Sequence, residues 1–334
     1  MSKLTMEPKT ATVDSASPGA PVRFTWAGLK RSTIFYPFVG LVVVCLVMVF
    51  ASNSFLSAAN IENIARQVSI NAIIAVGMTC VILTGGIDLS VGSVMALSGT
   101  LAAGLMVSGM NAVAALVVGI AVGLGFGVAN GIFVAFAGMP PIIVTLATMG
   151  IARGLALIYT GGYPIDGLPD WVAFFGNGKV LGVQMPVVIM LVVYLLAWVL
   201  LERMPFGRYV YAIGGNEDAT RLSGVRVARV KLIVYGLAGL TSALAAIVLT
   251  ARLMSGQPNA GVGFELDAIA AVVMGGTSIS GGRGSIVGTL IGALLLGVLN
   301  NGLNMVGVNP YVQNVIKGAI ILLAIYISRD RRRK

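Results

Sequence analysis

Gly85-Gly86-Ile87-Asp88-Leu89-Ser90-Val91-Gly92-Ser93 joins two long apolar segments through a pair of glycines, one acid and two serines. The segments on either side, about residues 60–84 and 89–108, are each close to the ~20 residues needed to cross a hydrocarbon core about 30 Å thick. A polar turn between two such segments has two physical uses. Short oxygen-bearing side chains such as Asp88 and Ser90 can cap the free N–H groups of the helix that follows. Acids within membrane segments are costly, roughly 2.5–3.5 kcal/mol at a helix centre, and are therefore usually paired or functional. The residues favour a structural turn built from Gly85, Gly86, Asp88 and Ser90, with contact to a transported solute as the alternative.

Working outward, the same apolar pattern repeats. The chain has 334 residues, 57% hydrophobic and only 10% charged, against about 25% charged in a soluble protein. The pattern predicts an all-α polytopic membrane protein. About ten transmembrane helices are expected, near 34–51, 60–84, 89–108, 111–136, 142–160, 185–201, 229–251, 264–276, 285–304 and 311–328. Residues 1–33 have the polar, aperiodic composition of a disordered tail and lack the apolar core of a signal peptide. Residues 329–334 form a basic C-tail. The fourth segment carries Gly119, Gly123, Gly125, Gly127 and Gly131, small residues that let transmembrane helices approach closely. Met139-Pro140-Pro141 interrupts the chain. The loop 161–184, with Trp171 and Phe174-Phe175, has the aromatic character of an interfacial segment. The eighth segment is short, as in a broken helix. A possible internal repeat relates Asn71–Met78 to Asp267–Met274 and Gly99-Thr100-Leu101 to Gly288-Thr289-Leu290, with chance similarity of Ala/Ile/Val helices as the competing explanation.

The net charge of +10 reports orientation rather than nucleic acid. Most of the 22 Lys and Arg fall in the two tails and around the loop 202–228. The positive-inside rule then places both termini in the cytoplasm. Cys45 and Cys80 sit in apolar runs as small hydrophobes. There is no histidine and no G-x-x-x-x-G-K-[ST] loop, which leaves no histidine metal site, Ser-His pair, histidine proton relay or P-loop on this sequence.

Inside the loop 202–228, Asn216 is a good N-cap, Glu217 and Asp218 suit a first turn, and Gly224 suits a stop. A helix of about eight residues is predicted there. It is either a solvated connector or a piece shaped to dock in a partner's cleft.

Three stretches decide between these. GGIDLSVGS (85–93), YAIGGNEDATRLSGV (211–225) and GFELDAIAAVVMGGTSISGGRGSIVGTLIGALLLGVLNNGLN (263–304) together resemble the permease subunit of bacterial ABC sugar importers of the ribose type. The similarity runs from about residue 35 to about 328 and leaves the N-terminal tail uncovered. It implies a multi-pass protein of the bacterial inner membrane that moves ribose or a related monosaccharide. Its implied partners are a second copy of itself, a separate nucleotide-binding subunit with two ATPase modules, a periplasmic or extracellular sugar-binding protein, and lipid. It implies no cofactor on this chain, with ATP and Mg held by the partner. It also places the coupling segment at Gly215, Asn216, Glu217, Asp218, Ala219, Thr220, Arg221, Leu222, Ser223 and Gly224. By analogy with related importers, spans five and ten line the path, which singles out Thr145, Thr148 and Asn314. For the threonines the alternative is a hydroxyl bonded back to its own helix.

Glu265 and Asp267 are expected to cap the eighth segment. Arg153 pairs with an acid or with backbone carbonyls. Asn300, Asn301 and Asn304 either line the path or join helices. A self-sufficient secondary transporter or facilitator is the competing function, weakened by the lack of histidine and the scarcity of midspan acids.

Overall fold

The computed structural model describes residues 35–330. The N-terminal tail and residues 331–334 lie outside the described residues. The chain runs α1 Phe35–Ala51, α2 Ala58–Leu83, α3 Val91–Val107, α4 Ala112–Ala135, α5 Pro141–Thr160, a short α6 Ala173–Asn177, α7 Met185–Trp198, α8 Pro205–Gly215, α9 Glu217–Leu222, α10 Val227–Leu253, α11 Phe264–Met274, α12 Ile286–Met305 and α13 Pro310–Asp330. Among the described residues, α2, α4, α5, α7 with its terminal turn, α10 and α12 are long and apolar enough to cross a membrane, and α1 and α3 are shorter apolar helices. The molecule is therefore an all-α polytopic membrane protein.

α2 and α10 occupy the centre. Their most apolar stretches are 83% and 67% buried, and that of α12 is 67% buried, against 22% for α4 and 28% for α5 and α7. The outer helices turn Leu46 and Phe50 (α1), Ile143 and Ile158 (α5), and Leu191 and Leu195 (α7) outward. In water such a surface would drive aggregation; in lipid it is the expected exterior.

The fourth segment's glycines explain the most extensive helix–helix contact. Gly123, Gly127 and Gly131 recur every four residues, and so share one face of α4. That face meets α10 backbone to backbone. A Cβ on Gly123 would lie 2.8 Å from Gly239 O, and one on Gly131 would lie 2.9 Å from Leu232 Cα. Gly125 points elsewhere, into open space. Without a hydrophobic drive between helices in lipid, such close dispersion contact is what holds them.

Two expected loops are folded. Residues 161–184 contain α6 and three two-residue strands. β1 (Ile165–Asp166) pairs antiparallel with β4 (Ser255–Gly256), while β2 (Lys179–Val180) and β3 (Val183–Gln184) form a hairpin. Leu181 and Gly182 turn that hairpin with φ of 50° and 81°, the sign required by a type I′ turn. The hairpin is tied to the start of α2, where Glu62 accepts from Lys179 Nζ at 2.8 Å and Gln184 Nε2 at 3.1 Å. The loop 202–228 contains two helices rather than one. α8 was hidden because Phe206, Val210 and Ile213 sit among polar residues, although their helical spacing and Pro205 at the first position mark it.

Candidate functional site

The turn after α2 is closed by its acid. Asp88 Oδ1 accepts from Ser90 N at 2.9 Å and from Ser90 Oγ at 2.6 Å. The Ser90 hydroxyl is thereby committed, and although Ser90 holds the N-cap position of α3 it makes no side-chain cap bond. Asn130 of α4 donates to Ser90 Oγ at 2.9 Å, a fully buried partner that sequence reading missed because it lies 40 positions away.

Two further glycine-bearing segments meet this turn. Gly282 N donates to Leu83 O at 2.9 Å, joining the 275–285 turn to the end of α2. Gly281, at φ +80°, leaves no room for a side chain: its Cβ would lie 2.8 Å from Gly85 N and 2.9 Å from Gly214 Cα. Gly214, in the last turn of α8, is packed in turn against Leu83 O, Gly282 N and Gly281 C. Tyr211 of α8 adds a hydrogen bond from its hydroxyl to Gly284 O at 3.2 Å. Burial pushes the Tyr211 phenol up to about 12, so it remains a donor at neutral pH. The end of α8 therefore rests directly on the turns that launch α3 and α12.

Two residues later the chain enters α9. Asn216 caps it, accepting from Ala219 N at 3.0 Å. Glu217 accepts from Arg221 at 2.8 Å and from Lys231 of α10 at 2.6 Å. Gly215 is open, Thr220 is buried, and Asp218, Leu222 and Ser223 face outward. Gly224 follows at φ +85°, the left-handed stop expected of a glycine after a helix. α9 ends at Leu222, so it is shorter than the expected eight residues.

The remaining sequence candidates separate. Thr145 Oγ1 lies 2.9 Å from Pro141 O and 3.2 Å from Ile87 O, tying α5 to the Asp88 turn. Thr148 Oγ1 bonds back to Val144 O at 3.1 Å. Both are buried, and the outward face of α5 is apolar. Asn314 is exposed on α13. Arg153 donates to Pro258 O and to Ala260 O, the latter at 2.8 Å, so its partners are backbone carbonyls. Glu265 reaches back to Gly263 N at 3.3 Å at the start of α11. Asp267 departs from the expected cap and instead accepts from Lys317 of α13 at 3.3 Å. Asn301 Nδ2 donates to Asn60 Oδ1 at 2.9 Å and Gln313 Nε2 to Asn304 Oδ1 at 2.7 Å, so two of the three asparagines join helices.

The Asp267–Lys317 pair carries a prediction. Both side chains are mostly buried, and removing one partner strands the other charge. Asp267→Ala is expected to destabilise the purified protein by about 3–5 kcal/mol. Asp267→Ala with Lys317→Leu is expected to recover most of the lost thermal midpoint. A double variant no better than the single would show that the pair contributes no coupling.

Residues 60–325 match the family described as branched-chain amino acid transport system, permease component. The ribose import permease protein of Bacillus subtilis (strain 168) is 53% identical over 297 residues, covering 88% of this chain and 92% of the relative. That of Escherichia coli (strain K12) is 49% identical, covering 88% and 93%. The D-allose transport system permease protein of the same strain is 39% identical, covering 96% and 98%. No solved structure gives a significant match. A family match over most of the chain, relatives covered nearly end to end and a bundle of apolar helices agree, and the chain belongs to this family of multi-pass membrane permease components.

Proposed function

We propose that this permease carries ribose, or a closely related monosaccharide, into the cell, driven by ATP hydrolysis on a separate subunit. The observation that carries the proposal is its identity of about half, over nearly the whole length, with two proteins named as ribose import permeases. In this reading ten helices cross the inner membrane: α1–α5, α7, α10–α12 and α13. Both termini, α8 and α9 lie in the cytoplasm, which is where the positive-inside rule puts the basic loop. Two copies form the pore. A nucleotide-binding subunit with two ATPase modules receives α9 of each copy, and a sugar-binding protein docks on the opposite face.

The geometry supports a mechanical role for Gly215–Gly224. A force on α9 reaches Gly214 within three residues, and from there the turns at Gly85 and Gly281, against which Gly214 is packed. Those turns begin α3 and α12. Displacing α9 therefore rocks two membrane helices as units, the rigid-body style of alternating access. Asp88, Ser90 and Asn130 hold the α3 entry in one shape during that motion. Thr145, bonded to Ile87 O, passes the displacement to α5. If α5 and α13 line the path between copies, Thr145 and Thr148 act from behind its wall, and Asn314 is the polar group available to sugar hydroxyls. Exposed Gly150 and half-buried Gly154, with open space above them, leave α5 room to approach a second copy.

Labelled-ribose uptake into proteoliposomes is the test. Uptake is expected only when the permease, the ATPase subunit, the sugar-binding protein and internal ATP are all present. Equal uptake by this chain alone would make it a facilitator and end the ATP-driven reading.

A further inference from the structure

A cavity of about 660 Å³ opens between the end of α4, the 138–141 turn, α9 and the start of α10. Its polar lining is Arg221, Arg226, Arg229 and Lys231 against one acid, Glu217. Glu217 is already shared between Arg221 and Lys231. Arg226 and Arg229 have no acidic partner among the described residues. Two guanidinium groups without acids, on one cavity, leave an uncompensated positive field there.

The backbone adds to that field. Val227 and Ala228, the first turn of the long helix α10, also line the cavity. Its N-cap, Arg226, supplies no side-chain cap bond. The positive end of the helix macrodipole thus points at the same space as the arginines. Guanidinium forks and helix N-termini both match the oxygens of a phosphate.

The rim distinguishes a lipid from a soluble anion. Phe136 and Met139 border the cavity and are largely exposed. Next to them Ile142 and Ile143 begin the exposed apolar face of α5. A ligand seated here has a basic, hydrogen-bonding cavity for one end and a continuous apolar surface for the other. Basic pockets between helices at the cytoplasmic boundary suit anionic headgroups in this way.

We propose that this cavity binds the phosphate headgroup of an anionic phospholipid of the inner leaflet, held by Arg226 and Arg229, with its acyl chains along α5. The bound lipid would sit against α9 and bias the segment that Glu217 fastens to α10. The assignment to the inner leaflet rests on the cytoplasmic placement of α9 proposed above; the binding itself is tested without transport.

The test is native mass spectrometry of the full-length permease in detergent, titrated separately with phosphatidylglycerol, phosphatidylcholine and inorganic phosphate. Phosphatidylglycerol is expected to add at lower concentration than phosphatidylcholine. Arg226→Gln with Arg229→Gln is expected to raise its half-saturation by about tenfold. Arg208→Gln with Arg283→Gln removes equal charge outside the cavity lining and is expected to leave it unchanged. Equal loss in both double variants would mean general surface electrostatics and overturn the site. Displacement of phosphatidylglycerol by millimolar inorganic phosphate would overturn the lipid assignment in favour of a soluble anion. Binding of the ATPase subunit in lipid-free detergent, lost in the Arg226/Arg229 variant alone, would overturn it in favour of a protein contact. None of these outcomes depends on sugar uptake, so failure here leaves the transport reading standing.

Discussion

Gly127→Leu is expected to leave no stable permease, while Gly125→Leu, two positions away on the same helix, is expected to be tolerated. The two substitutions add the same apolar side chain and make the same change in helix propensity. They differ in what the new side chain meets. At Gly127 a Cβ would strike Tyr235 O and approach Gly239 Cα and N to 3.0 Å. Those atoms are main chain of a 27-residue helix and cannot turn aside. Either α4 and α10 separate or α10 bends. Overpacking of this kind costs about 1–3 kcal/mol for side-chain neighbours, and more where backbone must move. The contact recurs at Gly123 and Gly131, so separation at one level loosens the others. At Gly125 nothing lies within 4 Å, and leucine there simply joins the exterior. Size-exclusion profiles and thermal midpoints of the two variants are the readout. Equal behaviour would mean that the close α4–α10 approach does not hold the bundle together.

Gly214→Val is expected to uncouple transport from ATP hydrolysis. Its Cβ would displace Leu83 O and Gly282 N and would reach Gly281 C at 3.0 Å, which breaks the junction beneath α8. Gly215→Val places the same side chain one residue later, where nothing lies within 4 Å. If force on α9 travels through that junction, sugar moved per ATP should fall at least about tenfold in Gly214→Val, equivalent to about 1.4 kcal/mol of coupling. Gly215→Val should retain it. Gly214→Ala, with a smaller intrusion, should fall between them. That graded series separates lost coupling from lost folding, since each variant is also assayed for ATPase binding. Unchanged stoichiometry in Gly214→Val would remove the junction from the mechanism.

The sequence marked the parts of this molecule that rest on local chemistry. Apolar runs place helices where α1–α5, α7 and α10–α13 lie, six of them long and apolar enough to cross a membrane among the described residues, because hydrophobic length is a property of the run itself. The α9 cap was legible for the same reason: Asn216 reaches only three residues ahead. α4's glycines signalled close packing, but not which of them face α10, since Gly125 stands among them and points into open space. What stayed hidden depends on distant partners. Asn130 supports the Asp88 turn from another helix, and Arg153 finds Pro258 and Ala260 O more than 100 positions away. Asp267 looked like a cap because acids favour first turns, yet Lys317 lies within reach and wins its carboxylate. The meeting of Gly85, Gly214 and Gly281 left only three separate glycine-bearing segments in the sequence, and nothing in any of them names the other two.

The most direct measurement of the central claim is photo-crosslinking from two positions in the assembled importer. One probe replaces Leu222, 90% exposed on α9, and the other replaces Leu181, 99% exposed at the tip of the β2–β3 hairpin. The account predicts that the probe at 222 captures the ATPase subunit and the probe at 181 captures the sugar-binding protein, each without the other. Capture of the sugar-binding protein from 222, or of the ATPase subunit from 181, would contradict the orientation and the coupling role of α9 together.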